Sequence, residues 1–86
     1  MTLDQWPART PAQVREVARP TSAEAQELVL RLTEIGFVPG EVVAIVATGP
    51  MGREPLAVRL GHTTFALRRN EAQLIDVQAL PAGVSA

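Results

Sequence analysis

The stretch Ile35-Gly36-Phe37-Val38-Pro39-Gly40-Glu41 separates two hydrophobic periodicities, and that separation constrains the fold more than any other feature of the chain. Before it, Ala25, Leu28, Val29, Leu32 and Ile35 recur at helical spacing, with Glu24, Glu27, Arg31 and Glu34 on the wetter side. Thr21-Ser22-Ala23-Glu24 supplies a start signal, a hydroxyl followed three residues later by a carboxylate, as in a capping box. Glu27 stands four residues before Arg31 and is expected to pair with it. Gly36 then falls where a helix end enters the left-handed region, and Phe37 is placed to pack back onto Leu32 in a Schellman ending. Pro39 has no amide hydrogen and stops the helix from resuming.

Beyond Gly40 the spacing changes. Residues 41–47 include Val42, Val43, Ala44, Ile45 and Val46, an apolar, β-branched run expected of a strand covered on both faces. Residues 48–55 hold two glycines and two prolines and read as a loop. Leu56, Val58 and Leu60 alternate with Ala57 and Arg59, giving a half-buried strand. Gly61-His62 suits a two-residue hairpin turn, and residues 63–67 form the return strand. Asn70 is expected to cap a single helical turn, and residues 74–77 to form a last strand. Upstream of the helix, residues 13–18 read as a first strand, although Val14 and Val17 do not alternate cleanly; Leu3 and Trp6 are expected to cover one end of the core. The expected architecture is mainly β, with one main helix inserted between the first and second of about five strands. Closure into a small β-barrel is expected because it removes exposed edges. Residues 1–78 are expected to form one domain and residues 79–86, small side chains around Pro81 and Gly83, a flexible tail.

Composition narrows the function. Among 86 residues there is no cysteine and one histidine, His62, which excludes disulfides, thiolate metal clusters and a cysteine nucleophile. Eight arginines oppose nine carboxylates for a formal net charge of −1, and aromatic residues make up 3%, so a nucleic-acid interface with its basic excess and stacking platform is not expected. No apolar run approaches the ~20 residues of a membrane helix, and no basic start with an apolar segment marks the N-terminus, so a cytoplasmic location is expected without membrane insertion. No nucleophile is paired with a base, and Gly49-Pro50-Met51-Gly52 lacks the Lys-Ser/Thr of a phosphate loop, so the chain is not expected to be an enzyme.

Five residues stand out as candidate sites. His62, at the hairpin turn, is the one imidazole available to a metal; because a tight site needs about three or four ligands, an ion bridging two molecules is expected there in preference to a built site. No cofactor is required on this reading, although a weakly bound divalent metal, iron or zinc, would find its ligand at His62. Met51 and Arg53 lie on the proline- and glycine-rich loop, and Arg68 and Arg69 follow the end of a strand. Loops on rigid scaffolds carry binding function, and arginine recognises carboxylates bidentately, so these four are the candidate partner-binding residues.

Three segments resemble the FeoA family. Leu32-Thr33-Glu34-Ile35-Gly36-Phe37-Val38-Pro39-Gly40-Glu41-Val42-Val43 is similar to its helix–turn–strand signature, and Gly49-Pro50-Met51-Gly52-Arg53-Glu54-Pro55-Leu56 to its proline-glycine loop with one extra residue. Phe65-Ala66-Leu67-Arg68-Arg69-Asn70-Glu71-Ala72-Gln73-Leu74-Ile75-Asp76-Val77 is similar to its closing segment. The three occur in family order. The resemblance implies a small SH3-like barrel acting as an accessory of bacterial ferrous-iron uptake, with the FeoB permease as partner and modulation of its GTPase as one mode of action. It brings no catalytic residue. An alternative is a regulatory metal-binding module like the C-terminal SH3-like domain of iron-dependent repressors, for which the discriminating feature would be a helix-turn-helix with metal ligands upstream of the barrel.

Overall fold

The computed structural model describes residues 1–84; the last two residues of the expected tail, Ser85 and Ala86, lie outside the described residues. The order of elements is β1 (Ala12–Val17), α1 (Ala23–Ile35), β2 (Val42–Gly49), β3 (Arg53–Leu60), β4 (Thr63–Leu67), α2 (Arg69–Ala72) and β5 (Ile75–Ala79), with short 3-10 turns at Leu3–Gln5 and Pro50–Gly52. All strands belong to one antiparallel sheet in the order β4-β3-β2-β1-β5, and α1 is inserted between the first and second strands.

The irregular spacing of Val14 and Val17 has a physical cause. In the β1–β5 ladder Val14 pairs with Val77 and Glu16 with Asp76, so Arg15 is an extra residue in a β-bulge. The bulge returns Val17 to the inner face three residues after Val14, and both pack on the core. In β2 the three consecutive residues Val43, Ala44 and Ile45 are buried, as expected for a strand covered on both faces.

The end of α1 is a complete Schellman motif. Phe37 N–H donates to the Leu32 carbonyl at 3.0 Å, Gly36 N–H to the Thr33 carbonyl at 3.1 Å, and Gly36 takes φ +126°. Phe37 and Leu32 are fully buried, and Phe37 meets the ring of Phe65 edge-on at 6.1 Å between centroids. Removing a side chain of that size from water stabilises the fold by about 2–3 kcal/mol.

Four expectations are corrected. The α1 N-cap is Ser22, whose hydroxyl accepts from Ala25 N–H, so Thr21 and Glu24 do not form the capping box. Arg31 pairs with Glu71 on α2 rather than with Glu27, because a partly buried carboxylate needs a cation more than an exposed one does. Residues 48–55 are mostly strand: β2 and β3 extend as a hairpin to a tip at Pro50–Gly52, with Gly49 opposite Arg53. A Cβ on Gly49 would lie 2.1 Å from the Glu54 carbonyl oxygen, so glycine is required where the two strands converge.

Fourthly, the sheet is not closed. Among the described residues β4 and β5 form no ladder with each other. Leu3 from the first 3-10 turn and Ala72 from α2 are fully buried in the common core with Val14, Leu56, Leu67, Ile75 and Val77, so non-strand elements fill that end of the core. The β5 edge is sealed by the N-terminus: Val77 N–H donates to the Met1 carbonyl at 2.8 Å, and Thr2 bridges to Asp76.

Candidate functional site

The five candidate residues fall into two groups at opposite ends of β3. At about 3.3 Å per residue, eight residues of strand separate the Gly61-His62 turn from the Pro50–Gly52 tip by roughly 25 Å. His62 is exposed and lines a hollow of about 400 Å³ with Pro11, Val42, Arg59 and Gly61. Its charged neighbour on that hollow is a cation, Arg59. Among the described residues no three His, Asp or Glu side chains converge as metal ligands, so one chain does not by itself offer a metal the donor set it needs.

The other end gathers Met51, Arg53, Arg68 and Arg69 around α2. Arg69 is the bracket. Its backbone N–H donates to Glu54 Oε1 at 2.7 Å, its Nη2 to the Gly52 carbonyl at 2.8 Å and its Nη1 to the Asp4 carbonyl at 3.3 Å. One side chain thus joins the N-terminal turn, the hairpin tip and α2. Guanidinium suits this role because its N–H donors are fixed in a planar fork that serves two acceptors at once. Held this way, the tip presents Met51, 90% exposed and in the left-handed region at φ +59°. A left-handed methionine with its side chain in water gives up conformational and burial energy, which a rigid anchoring of the tip offsets.

Glu71 organises the base of this end. It is the buried carboxylate among the described residues, at 4% exposure, and both its oxygens are used: Oε1 accepts from Arg68 N–H at 2.9 Å, and Oε2 from the Arg31 guanidinium. The first bond caps α2 at its N-terminus, the task expected of Asn70; the second ties α2 to α1. α2 begins at Arg69, so Asn70 lies inside its first turn and is not the N-cap, while Glu71 at the third position reaches back to the Arg68 N–H. Arg68 and Arg53 are exposed, and neither guanidinium has a hydrogen-bond or ion-pair partner among the described residues.

A second charged cluster seals the far edge of the sheet. Asp76 accepts from the Met1 amino group at 2.9 Å and from Arg15 Nε at 2.7 Å. The hydrogen bond from the Met1 ammonium holds the Asp76 carboxyl below the usual carboxylate value, and Arg15 adds to this, while burial pulls the other way. The bulge places Arg15 there, so its role is structural.

The FeoA domain model matches residues 1–79. FeoA of Stenotrophomonas maltophilia, solved in complex with zinc, is 46% identical over 91% of this chain and 89% of its own, with a TM-score of 0.79; it is described as an SH3-domain protein and a candidate activating factor of bacterial ferrous-iron transport. Iron(II) transport protein A of Clostridium thermocellum is 34% identical over 93% of this chain and 46% of its own, with a TM-score of 0.74. FeoA of Chlorobium tepidum is 28% identical over 98% and 74% of the two chains, with a TM-score of 0.74. No curated protein sequence matches. No helix among the described residues is long and apolar enough to cross a membrane. With the helix–turn–strand junction, the proline-glycine hairpin and the arginine-bearing α2 all in place, the chain belongs to the FeoA family.

Proposed function

We propose that the protein is a non-enzymatic accessory of ferrous-iron uptake that works at the cytoplasmic face by contact with the FeoB permease, modulating its transport or GTPase activity. The observation that carries this reading is the anchored hairpin tip. Arg69 fixes Gly52 and Glu54, and Met51 is held out in water next to Arg53, whose guanidinium is unpartnered among the described residues. An exposed, unbranched, polarisable side chain on a rigid support, beside an arginine, is what an adaptable protein contact needs. The support for iron transport as the setting is the family itself, and the description of the Stenotrophomonas relative as a candidate transport-activating factor.

That relative was solved with zinc, which raises the question of a metal here. The described side chains do not fit a metal cofactor within one molecule: among them no two further ligands join His62, and Arg59 shares its hollow. The function is therefore assigned to contact and not to metal chemistry.

The test is a titration of fluorescently labelled protein with detergent-solubilised FeoB, comparing the wild type with Met51→Glu. A loss of affinity of about tenfold or more in the variant is expected, as for a central anchor at an interface. Equal affinity would remove the hairpin tip from the contact.

A further inference from the structure

The two edges of the sheet are treated differently. The β5 edge is occupied by Met1 and Thr2. The β4 edge is bare. In the β3–β4 hairpin Leu60 pairs with Thr63 across the two-residue Gly61-His62 turn, and the register runs without a shift through Ala57–Ala66 to Leu56–Leu67. In such a hairpin the pair closing the turn is hydrogen bonded and the pairs alternate from there, so Thr63, Phe65 and Leu67 bond inward to β3. The N–H and C=O groups of Thr64 and Ala66 point out of the sheet, and among the described residues no other backbone group reaches them.

Edges that must stay unpaired carry charges, proline or a bulge. β4, Thr-Thr-Phe-Ala-Leu, has none of these, whereas β1 and β2 both contain register shifts. Thr64 and Ala66 are exposed and small, so nothing of their own side chains blocks an approaching strand. At the downstream end of β4 the edge opens into a hollow of about 410 Å³ lined by Leu28, Pro55, Leu67, Arg31, Arg68 and Glu71. Leu28, Pro55 and Leu67 give it an apolar side, and Arg31 and Arg68 a cationic one. Both Glu71 oxygens are already used, the Arg31 side chain remains 57% exposed, and the Arg68 guanidinium is unpartnered among the described residues.

We infer that the outer edge of β4 receives an extended segment of a partner protein as an added strand, with an apolar side chain in the Leu28–Pro55–Leu67 hollow and a carboxylate on Arg68. This deepens the accessory reading and rests on it for the occupant being a protein segment. Backbone pairing with Thr64 and Ala66 supplies the register, the hollow selects the anchor, and Arg68 selects the charge. A second copy in that place would leave Arg68 without a carboxylate. Antiparallel self-pairing centred on Phe65 sets His62 of one molecule against Arg68 of the other, and five residues of strand bury far less than the ~1,200 Å² of a stable interface. A short acidic strand added to a short edge is a weak, reversible contact, suited to modulation.

The test uses a synthetic hexapeptide, acetyl-Thr-Val-Leu-Val-Asp-Glu-amide, titrated into isotope-labelled protein and followed by NMR. Saturable shifts of the Thr64, Ala66 and Arg68 amides are expected, with weakening of about tenfold or more when lysines replace the two acids of the peptide. Thr64→Pro removes an outward N–H without touching the β3 ladder, and Arg68→Glu alters only an exposed charge; each is expected to weaken binding to the same degree. Unchanged β2–β3 amide shifts report that the variants fold, and Arg68→Glu keeps the test decisive if Thr64→Pro does not. Absence of shifts at several millimolar peptide, shifts confined to other elements, or equal affinity for the lysine peptide would overturn the inference. So would a concentration-dependent dimer that Thr64→Pro abolishes, since the occupant would then be a second copy. The same two variants titrated with FeoB separate the inference from the reading it rests on. Permease binding that neither variant alters overturns the β4 contact and leaves the accessory role standing; peptide binding at β4 without any permease binding overturns the accessory role alone.

Discussion

The guanidinium of Arg69 donates to the carbonyl oxygen of Gly52 at 2.8 Å, so the last helix holds the tip of the β2–β3 hairpin. The same side chain reaches the Asp4 carbonyl, and its backbone N–H is taken by Glu54. Arg69→Ala leaves the Gly52 carbonyl to water and frees the tip. The expected cost is about 1–2 kcal/mol in urea unfolding, with faster amide exchange confined to residues 49–55. Arg69→Lys is expected to recover less than half of the loss, because an ammonium cannot serve both carbonyls at once.

Gly49 and Gly52 flank the tip but differ in what a methyl group would meet. At Gly49 it would collide with the Glu54 carbonyl at 2.1 Å, whereas at Gly52 it meets nothing within 4 Å and only the φ of +73° opposes it. Gly49→Ala is therefore expected to destabilise by about 3 kcal/mol, and Gly52→Ala by about 1 kcal/mol. Thermal or urea unfolding of the two variants checks the order; equal losses would contradict the convergence of the strands at Gly49.

Glu71 serves α1 and α2 together. Glu71→Ala removes the acceptor of the Arg68 N–H and the partner of Arg31, and is expected to cost about 2–3 kcal/mol. Arg31→Ala is expected to cost about 1–2 kcal/mol: its own side chain is more than half exposed, but its loss leaves the buried Glu71 carboxylate without a cation. A double-mutant cycle should give a coupling below the Glu71→Ala loss, assigning the remainder of that loss to the cap.

Asp76 makes stability depend on acid. Its folded-state pKa is depressed below the ordinary 3.8 by the hydrogen bond from the Met1 ammonium and then by Arg15, against the effect of burial. A depressed carboxyl pKa contributes stability that is fully present above the unfolded value and is lost as pH falls through the folded one. Urea midpoints measured from pH 6 down to pH 2 should fall more steeply below pH 4 for the wild type than for Asp76→Asn. Identical slopes would mean that the cluster does not hold the β5 edge.

How far the sequence discloses this molecule depends on how local each determinant is. The stop of α1 is readable because Leu32, Thr33, Gly36 and Phe37, which make every bond of the motif, lie within six residues. The burial of three consecutive residues in β2 is readable from its unbroken apolar run. The bulge at Arg15 shows in the sequence only as a broken alternation at Val14 and Val17, since the ladder that defines it comes from β5, some sixty residues away. The hairpin tip is misread as a loop because Pro50, Gly52 and Pro55 are turn residues in isolation, and only the pairing of Gly49 with Arg53 shows how few of them turn. At the candidate site, Met51, Arg53, Arg68 and Arg69 are visible as residue types on loops and strand ends. That Arg69 is a bracket while Arg68 is exposed depends on where Gly52, Asp4 and Glu54 fall in space, which no local pattern states. Glu71 is hidden for the same reason: its cation, Arg31, is forty residues away.

The proposed accessory role requires that the chain touch the FeoB permease. Titration of the wild-type protein with full-length, detergent-solubilised FeoB, in GTP-analogue and GDP states, measures it most directly. The account predicts saturable one-to-one binding in at least one nucleotide state; absence of binding in both states would contradict it.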